Sequence, residues 1–254
     1  MKNIKDVLLE GKKTAGAWVQ ALSPVTAEIL ANAGFDWLMI DMEHAPGGFD
    51  TTMAQVQAMD ATKAVPLVRT PWNDTVAIKK ILDTGVMGVL VPYVNTAEEA
   101  LQAVQACKYP PEGVRGVAGS PKAAGYGQNV MEYLKAANDK ILVLTAVETA
   151  EAVANLDEIL KVPGLDGVFI GPMDLATSMG YLGNPAQPEV KAAISEVEAK
   201  VVASGKVLAS LAGNWEQAKQ KYEKGYQMLM LMSDTVSLAA LATQTVKEFK
   251  DAYP

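Results

Sequence analysis

Two acidic residues stand just after short apolar runs, where their side chains can share one site. Glu148 directly follows the fifth apolar run of the chain, and Asp174 lies four residues beyond the sixth. Two carboxylates suit a hard divalent cation that keeps open positions for water and substrate oxygens. The pattern therefore indicates a metal site. The alternative is that Asp174 caps a helix predicted for 175–179 and Glu148 stabilises the start of one predicted for 150–160.

His44 is the only histidine, and it lies in a glycine-containing loop directly after the second apolar run. An imidazole with a pKa of about 6.5 can carry a proton near neutral pH, especially beside a carboxylate that raises its basicity. Asp41 and Glu43 precede it in the chain. We interpret His44 as a candidate general base; the alternative is a merely exposed loop histidine.

Arg69 ends the third apolar run and is followed by Thr70-Pro71-Trp72. At that position its guanidinium points into the mouth of a barrel, where stabilising an anion or an oxyanion is its natural role. The alternative is a buried ion pair with Asp41 or Glu43.

The sequence gives little support for a lysine, serine or cysteine nucleophile. A Schiff-base lysine needs apolar surroundings inside the fold, but Lys140 and Lys206 precede strands and Lys122 lies in a loop. No G-x-S-x-G pattern is present. The single cysteine, Cys107, cannot form an internal disulfide and is expected to be a small buried hydrophobe.

Composition indicates an ordinary globular protein, with 50% hydrophobic and 20% charged residues. The formal net charge of −7 argues against nucleic acid as a partner, because phosphate binding needs clustered Lys and Arg. The first 14 residues mix charges with short apolar pairs, so we expect neither a signal peptide nor a membrane span, and a cytoplasmic location.

Eight apolar runs alternate with amphipathic stretches, which predicts parallel strands joined by helices. None shows polar alternation, as expected for strands buried on both faces. The runs are 15–21, 37–40, 67–69, 88–91, 141–147, 167–170, 207–210 and 228–231. This unbroken series favours one (β/α)8 barrel over residues 1–254, with the site at the strands' C-terminal ends. A doubly wound sheet is the alternative, but no glycine-rich turn follows the first run.

Helix signals fill the intervals. Ser23-Pro24 resembles an N-cap with its first turn, Thr96 with Glu99 a capping box, and Pro188 another helix start. Apolar residues at helical spacing predict a last helix at 235–253, which we expect to take part in subunit packing.

Five sequence blocks carry a resemblance to a known family. They are Phe35-Asp36-Trp37, Asp41-Met42-Glu43-His44-Ala45-Pro46, Pro71-Trp72-Asn73-Asp74, residues 109–116 (YPPEGVRG) and residues 167–175 (GVFIGPMDL). Together they resemble the HpcH/HpaI aldolase family over about residues 16–236. So many blocks in the same order make the resemblance specific.

The resemblance implies a class II, divalent-metal-dependent aldolase on a (β/α)8 barrel. Such an enzyme cleaves 4-hydroxy-2-oxo acids to pyruvate and an aldehyde through a pyruvate enolate. Mg²⁺ or Mn²⁺ is the implied cofactor, with Co²⁺ possible. The implied assembly is a homo-oligomer, a hexamer built from dimers.

The resemblance also implies residue roles. His44 matches the catalytic base, Arg69 the transition-state stabiliser, and Glu148 and Asp174 the metal ligands. Asp83 matches the acid that raises the basicity of the histidine. Because Asp83 precedes the fourth strand, it is placed near the opposite end of the barrel within one subunit, and Asp41 is the local alternative.

The expected substrate contacts come from Ala146, Met173 and Asp174, and two of these depart from the family. Ala146 stands where members carry glutamine, so one contact is lost or replaced. Met173 stands where they carry alanine; its backbone N–H remains, but the larger side chain narrows the pocket. Lys122 stands where arginine is expected.

Two other functions stay open. One is a citrate lyase β-like lyase acting on a CoA thioester, which needs a basic patch that the sequence does not show. The other is a metabolite-binding barrel without catalysis. Retention of His44, Arg69, Glu148 and Asp174 together disfavours the second.

Overall fold

Eight parallel strands close into a barrel in a computed structural model that describes residues 3–254. Neighbouring strands pair in sequence order, and β8 pairs with β1. The strands are β1 Thr14–Val19, β2 Trp37–Asp41, β3 Val65–Arg69, β4 Gly88–Val91, β5 Leu142–Val147, β6 Gly167–Ile170, β7 Val207–Leu211 and β8 Met228–Ser233.

Each predicted run overlaps one strand, and no strand bound differs from the prediction by more than two residues. The strands are almost entirely buried, because side chains facing the barrel interior and those facing the helices both lack solvent. Pairing of β1 with β8 closes the sheet, so the barrel prediction is confirmed and the open-sheet alternative is wrong.

The helices surround the barrel. They are α1 Ile4–Leu9, α2 Pro24–Asn32, α3 Phe49–Met59, α4 Thr75–Asp83, α5 Ala97–Cys107, α6 Val130–Lys140, α7 Ala150–Ala154, α8 Leu156–Ile159, α9 Pro172–Ser178, α10 Pro188–Ser204, α11 Trp215–Glu223 and α12 Asp234–Ala252, with a 3-10 segment at Lys122–Gly127. Over residues 3–254, no helix has both the length and the apolar content needed to cross a bilayer.

The predicted helix starts follow the expected capping chemistry. The Ser23 hydroxyl accepts a hydrogen bond from the Thr26 N–H, and Thr96 accepts one from the Glu99 N–H. The Glu99 carboxylate reaches the Asn95 N–H, one residue earlier than a standard capping box requires.

The barrel interior is a packed core whose floor is covered by α1. Ile4 and Leu8 of this helix join the interior side chains, among them Trp37. A Cβ at position 16 would lie 2.4 Å from the Trp37 ring, so glycine there lets the indole fill the barrel. The Trp37 indole N–H donates to the Thr14 hydroxyl at 2.9 Å. This closed floor leaves the other end of the barrel for ligands.

The last helix, α12, differs from the others in burying none of its apolar residues. Leu238 is 64% exposed, Leu241 66% and Phe249 63%, whereas Asp234 at its start is buried. The helix predicted at 235–253 is therefore present, shifted by one residue. Its apolar side chains are not covered by residues 3–254.

Candidate active site at the C-terminal ends of the strands

Glu148 follows β5 and is 3% exposed. Its Oε1 accepts a hydrogen bond from the backbone N–H of Tyr93, which lies just after β4, at 2.7 Å. The Thr149 hydroxyl caps α7 by accepting from the Ala152 N–H, so the helix start has its own cap. The alternative, in which Glu148 stabilises the start of the following helix, is therefore disfavoured.

Gly171 makes room for this carboxylate. A Cβ at position 171 would lie 2.7 Å from Glu148 Oε2 and 3.0 Å from its Cβ. Real Cβ atoms do not approach a neighbour so closely without displacing it. Glycine between β6 and α9 is therefore a steric condition for the position of Glu148.

Asp174 occupies the first turn of α9, two residues after Pro172. The residue at the N-cap position is Gly171, which offers no side chain. The interpretation of Asp174 as the cap of a helix at 175–179 is therefore wrong. A carboxylate in the first turn is still favoured by the helix dipole.

The carboxylates interact electrostatically. Burial raises the pKa of Glu148 to about 7, and the charges of Glu43 and Asp174 act in the same direction, against the Tyr93 N–H and Arg69. Burial also raises the pKa of Glu43, with contributions from Asp41 and Asp174. A site that holds several acids with so little compensation favours an added cation.

Arg69 is held on three sides. Its Nε donates to Asp41 Oδ1 at 2.9 Å and its Nη2 to Asp41 Oδ2 at 2.7 Å, while its Nη1 lies 3.1 Å from Glu43 Oε2. Its guanidinium carbon sits 4.3 Å from the centroid of the Trp18 ring. The sequence left open a pair with Asp41 or Glu43, and Arg69 pairs with both.

Asp41 also holds the loop that follows β2 through hydrogen bonds. Its carboxylate accepts hydrogen bonds from the Gln20 side chain at 2.8 Å and from the backbone N–H groups of Glu43 and His44 at 3.1 and 3.3 Å. Burial alone would raise the pKa of Asp41, but Arg69, Gln20 and the backbone donor outweigh it and hold that pKa below its usual value.

His44 stands at the open edge of the site, with 59% of its side chain exposed. Its Nε2 lies 3.7 Å from Glu43 Oε2, so Glu43 is the acid beside the ring. Asp41, the local alternative from the sequence, contacts only the His44 backbone.

Asp83 does not join this group within the chain. It is the last residue of α4, and its Oδ1 accepts from Arg115 Nη2 at 2.9 Å. The end of α4 faces the N-terminal ends of the strands, as its place before β4 implied. Lys122 lies near the same end, beside Gly85, and pairs with Asp60 at 2.7 Å.

Ala146 and Met173, the two expected substrate contacts that depart from the family, lie at different depths in the barrel. Ala146 is 2% exposed and faces the barrel interior with Phe169, two residues below Glu148 on the same strand. Met173 is 51% exposed, and its terminal methyl group packs over Gly183. Ala146 thus leaves a small side chain in the barrel interior below Glu148, whereas Met173 adds apolar surface to the rim.

Three residues that shape the site were not predicted from the sequence. Gln20 supports Asp41, Gly171 makes room for Glu148, and Tyr93 supplies the backbone donor. The sequence held a signal for two of them, because both lie close after a strand end. Gly171 directly follows β6, and Tyr93 lies two residues after the end of β4. Gln20 likewise follows β1, but a glutamine at a strand end is ordinary.

The residues present fit a divalent cation. Among residues 3–254, no three His, Cys, Asp or Glu side chains form a ready-made metal cage. Glu148 and Asp174 would therefore leave most of the coordination sphere to water and substrate, as Mg²⁺ prefers. Burial raises the pKa of Glu148 to about 7 and so disfavours its negative charge, a cost that a bound cation would offset.

Two surface cavities lie at the opposite end of the barrel. They adjoin each other and share Gly85, Met87 and Lys140, at the N-terminal ends of β4 and β5. Each is lined by a single acidic residue, Asp60 in one and Glu132 in the other. They lack the converging carboxylates of the opposite end, so the open mouth is the better candidate site.

The fold and site define a barrel enzyme with an acidic active site at its strand ends. The family model described as HpcH/HpaI aldolase/citrate lyase matches residues 14–240. The chain belongs to this family. It is a carbon–carbon lyase, an aldolase of class II, a class that generally depends on divalent metals.

Individual relatives agree with this assignment. The chain is 44% identical over 247 residues to the 4-hydroxy-2-oxo-heptane-1,7-dioate aldolase of Escherichia coli, covering 97% of this chain and 94% of that protein. The enzyme of the same name from Salmonella typhimurium is 44% identical, with 98% and 95% covered. A solved family member from Burkholderia cenocepacia J2315 superimposes with a TM-score of 0.93 at 35% identity, covering 97% and 98%.

We expect Gly171→Ala to weaken cation binding about tenfold or more, because the added methyl displaces the Glu148 carboxylate. Isothermal titration with Mn²⁺ measures this. Gly116→Ala is the matched control, since its Cβ would meet only the flexible Lys79 side chain at 3.4 Å. Equal affinities in the two variants would contradict the steric role of Gly171.

We expect Glu148→Gln to stabilise the metal-free protein at pH 8. The pKa of Glu148 is raised from 4.5 to about 7, so the folded state holds the proton more tightly than the unfolded state. Stability is therefore lost as the pH rises from about 4.5 to about 7, by at most about 3 kcal/mol, and glutamine removes that loss.

Thermal unfolding with and without Mn²⁺ checks this expectation. The variant should melt higher than the parent at pH 8 without metal, lose the difference at pH 4, and gain nothing from Mn²⁺. Glu198→Gln is the contrast, because Glu198 accepts from Tyr226 at 2.9 Å and pairs with Lys224 at 2.8 Å, so its loss should destabilise. A Glu148→Gln variant that melts lower in all conditions would mark Glu148 as structural.

Proposed function

We propose that this aldolase cleaves 4-hydroxy-2-oxo acids to pyruvate and an aldehyde, with Mg²⁺ or Mn²⁺ bound by Glu148 and Asp174. The observation that carries the proposal is the Glu148 carboxylate, which is 3% exposed, accepts the Tyr93 N–H at 2.7 Å and has its space kept by Gly171. The names of the Escherichia coli and Salmonella relatives support a 4-hydroxy-2-oxo acid as substrate.

A bound divalent cation would polarise the keto group of the substrate and so acidify the neighbouring carbon. Glu148 would hold its position through the Tyr93 N–H. Asp174 projects from the first turn of α9, where backbone N–H groups around Met173 and Asp174 are suited to bind the substrate carboxylate.

Arg69 and His44 supply the remaining chemistry. Arg69, fixed by Asp41 and Glu43, stabilises negative charge that develops on the substrate oxygen. His44 Nε2 moves the proton between the substrate hydroxyl and solvent, through a water molecule, since the ring is exposed. In the single chain, Glu43 is the acid beside the His44 ring. For Asp83 to raise the basicity of His44, as the family resemblance implies, it would have to come from a second copy of the chain.

The test is pyruvate release from a panel of 4-hydroxy-2-oxo acids, including the heptane-1,7-dioate, coupled to lactate dehydrogenase. We expect turnover with Mg²⁺, Mn²⁺ or Co²⁺, none with EDTA, and a loss of at least about a hundredfold in kcat for His44→Ala. Glu148→Ala and Asp174→Ala should lose metal-dependent activity while remaining folded by circular dichroism.

Other outcomes decide between the alternatives. Turnover that survives EDTA or the loss of both carboxylates would contradict the metal proposal. Tight pyruvate binding without turnover would indicate a metabolite-binding barrel. Cleavage of a CoA thioester in place of the oxo acids would indicate the citrate lyase β-like activity.

We also propose that the protein is a homo-oligomer that buries α12 between subunits. Leu238 and Leu241 are both more than 60% exposed in the single chain, and burying such residues is favourable. The double variant Leu238→Glu/Leu241→Glu should therefore lower the mass measured by light scattering towards the 27.0 kDa of one chain. Leu9→Glu is the matched control, as Leu9 is 65% exposed at the end of α1. A parent protein that is monomeric would overturn the proposal.

A further inference from the structure

Gln20, the residue directly after β1, lies between the start of α12 and the ion pair of Arg69 with Asp41. Its side-chain Nε2 donates to Asp41 Oδ2 at 2.8 Å, and its Oε1 accepts from the Ser233 hydroxyl at 2.8 Å. Ser233 ends β8 and is the N-cap of α12, whereas Asp41 ends β2. One amide therefore joins the last strand and helix of the chain to the second strand of the barrel.

The orientation of this amide follows from its two neighbours. A carboxylate only accepts hydrogen bonds, so the amide nitrogen has to face Asp41. The amide oxygen then faces Ser233, whose hydroxyl donates to it. Burial raises the pKa of Asp41, but the donors from Arg69 and Gln20 outweigh burial and keep this carboxylate ionised. A side chain with both a donor and an acceptor at its end is what this position requires.

The backbone of the same segment is held by Asp234, the first residue of α12, which is 8% exposed. Its Oδ1 accepts from the Gln20 N–H at 2.9 Å. Its Oδ2 accepts from the Ala21 N–H at 3.1 Å and from the Thr26 hydroxyl at 3.0 Å. Three donors from residues 20–26 on one buried carboxylate fix the path of the chain after β1 relative to α12.

A second contact joins this segment to the loop that carries His44. Leu22 has a φ of +55°, a left-handed conformation that non-glycine residues rarely adopt. A Cβ at position 47 would lie 2.5 Å from Leu22 Cδ2, so glycine at position 47 leaves room for the leucine. The segment after β1 thus meets the loop after β2 at two places, Asp41 and Gly47.

Asp41 passes this restraint on to the residues that we assign to the chemistry. Its Oδ2, which accepts from Gln20, also accepts from Arg69 Nη2 at 2.7 Å, and its Oδ1 accepts from the His44 N–H at 3.3 Å. Rotation of this carboxylate would turn the guanidinium and move the histidine loop together. A displacement of about 1 Å at reacting groups can lower a rate about a hundredfold.

We propose that Gln20 is a positioning residue for the aldolase reaction. Its amide transmits the position of Ser233, at the start of α12, to Asp41. Asp41 in turn sets the orientation of Arg69 and the place of the loop that carries His44. This inference rests on the proposed function, which gives the arginine and the histidine their roles.

Gln20→Met tests the first contact, because methionine keeps the length of the side chain but offers no N–H donor. We expect kcat for pyruvate release from a 4-hydroxy-2-oxo acid to fall about tenfold or more. KM and the Kd for Mn²⁺ should change less than about twofold, because the hydrogen bonds of Gln20 run to Asp41 and residues 233–235, not to Glu148 or Asp174. An unchanged kcat, or a change in KM alone, overturns the inference.

Gln227→Met is the matched control. Gln227 is half-buried, as Gln20 is, and its Nε2 donates to the backbone carbonyl of Leu8, but it directly precedes β8 at the opposite end of the barrel. Both substitutions remove a side-chain donor, so a general loss of stability affects both variants. We expect Gln227→Met to keep the kcat of the parent. An equal fall of kcat in both variants overturns the inference.

Ser233→Ala tests the second contact, since alanine removes the hydroxyl that donates to Gln20. We expect kcat to fall about threefold, and Ser233→Thr, which keeps the hydroxyl, to retain the parent rate. Ser233 also caps α12 by accepting from the Val236 N–H at 3.4 Å. Asn214→Ala removes the corresponding cap of α11 and is the control for this second role, with an unchanged kcat expected.

The double variant Gln20→Met/Ser233→Ala shows whether the two contacts act in series. If Ser233 acts through the amide, the double variant has the kcat of Gln20→Met alone. A further fall equal to that of Ser233→Ala alone overturns the inference. A parent protein that turns over while Gln20→Met is equally fast loses only the inference. A folded parent that releases no pyruvate with any of the metals removes the proposed function and the inference with it.

Discussion

The ion pair between Arg69 and Asp41 organises the open end of the barrel. The two residues lie opposite each other where β2 and β3 end, and two parallel hydrogen bonds lock the guanidinium in one orientation. The same Asp41 carboxylate holds the backbone of Glu43 and His44, so the loop that carries the histidine takes its shape from this pair. Loss of either partner would leave a buried charge uncompensated and release the loop.

Beside this pair lies a group of carboxylates, Glu148, Glu43 and Asp174, that is only partly compensated, by the contact of Arg69 with Glu43. Within residues 3–254, Glu148 is buried without a cationic partner at hydrogen-bond distance, and the charges of Glu43 and Asp174 raise its pKa further. A chain under selection for stability alone would not keep such a group, since apolar residues of similar size are commonly more stable there. The arrangement is consistent with function retained at the expense of stability, which is expected at active sites.

Much of this architecture follows from local sequence. The eight strands could be predicted because each is an apolar run buried on both faces, and Glu148 and Arg69 were found because they end such runs. The place of Asp174 within its helix was harder to predict. An aspartate before an apolar stretch suggests an N-cap, but the helix already begins at Pro172. Which acid faces His44 depends on loop conformation, and the neighbouring Glu43 is nearer to the ring than Asp41.

Tyr93 separates two roles within one residue. Its main chain anchors the Glu148 carboxylate, while its ring stacks on that of Trp72. Because every amino acid except proline has that N–H, a substitution at this position can change the ring contact without removing the donor to Glu148. Gly171 has no such freedom, since any side chain there meets Glu148. Position 93 can thus vary in side chain while keeping its hydrogen bond to Glu148, whereas position 171 is restricted to glycine.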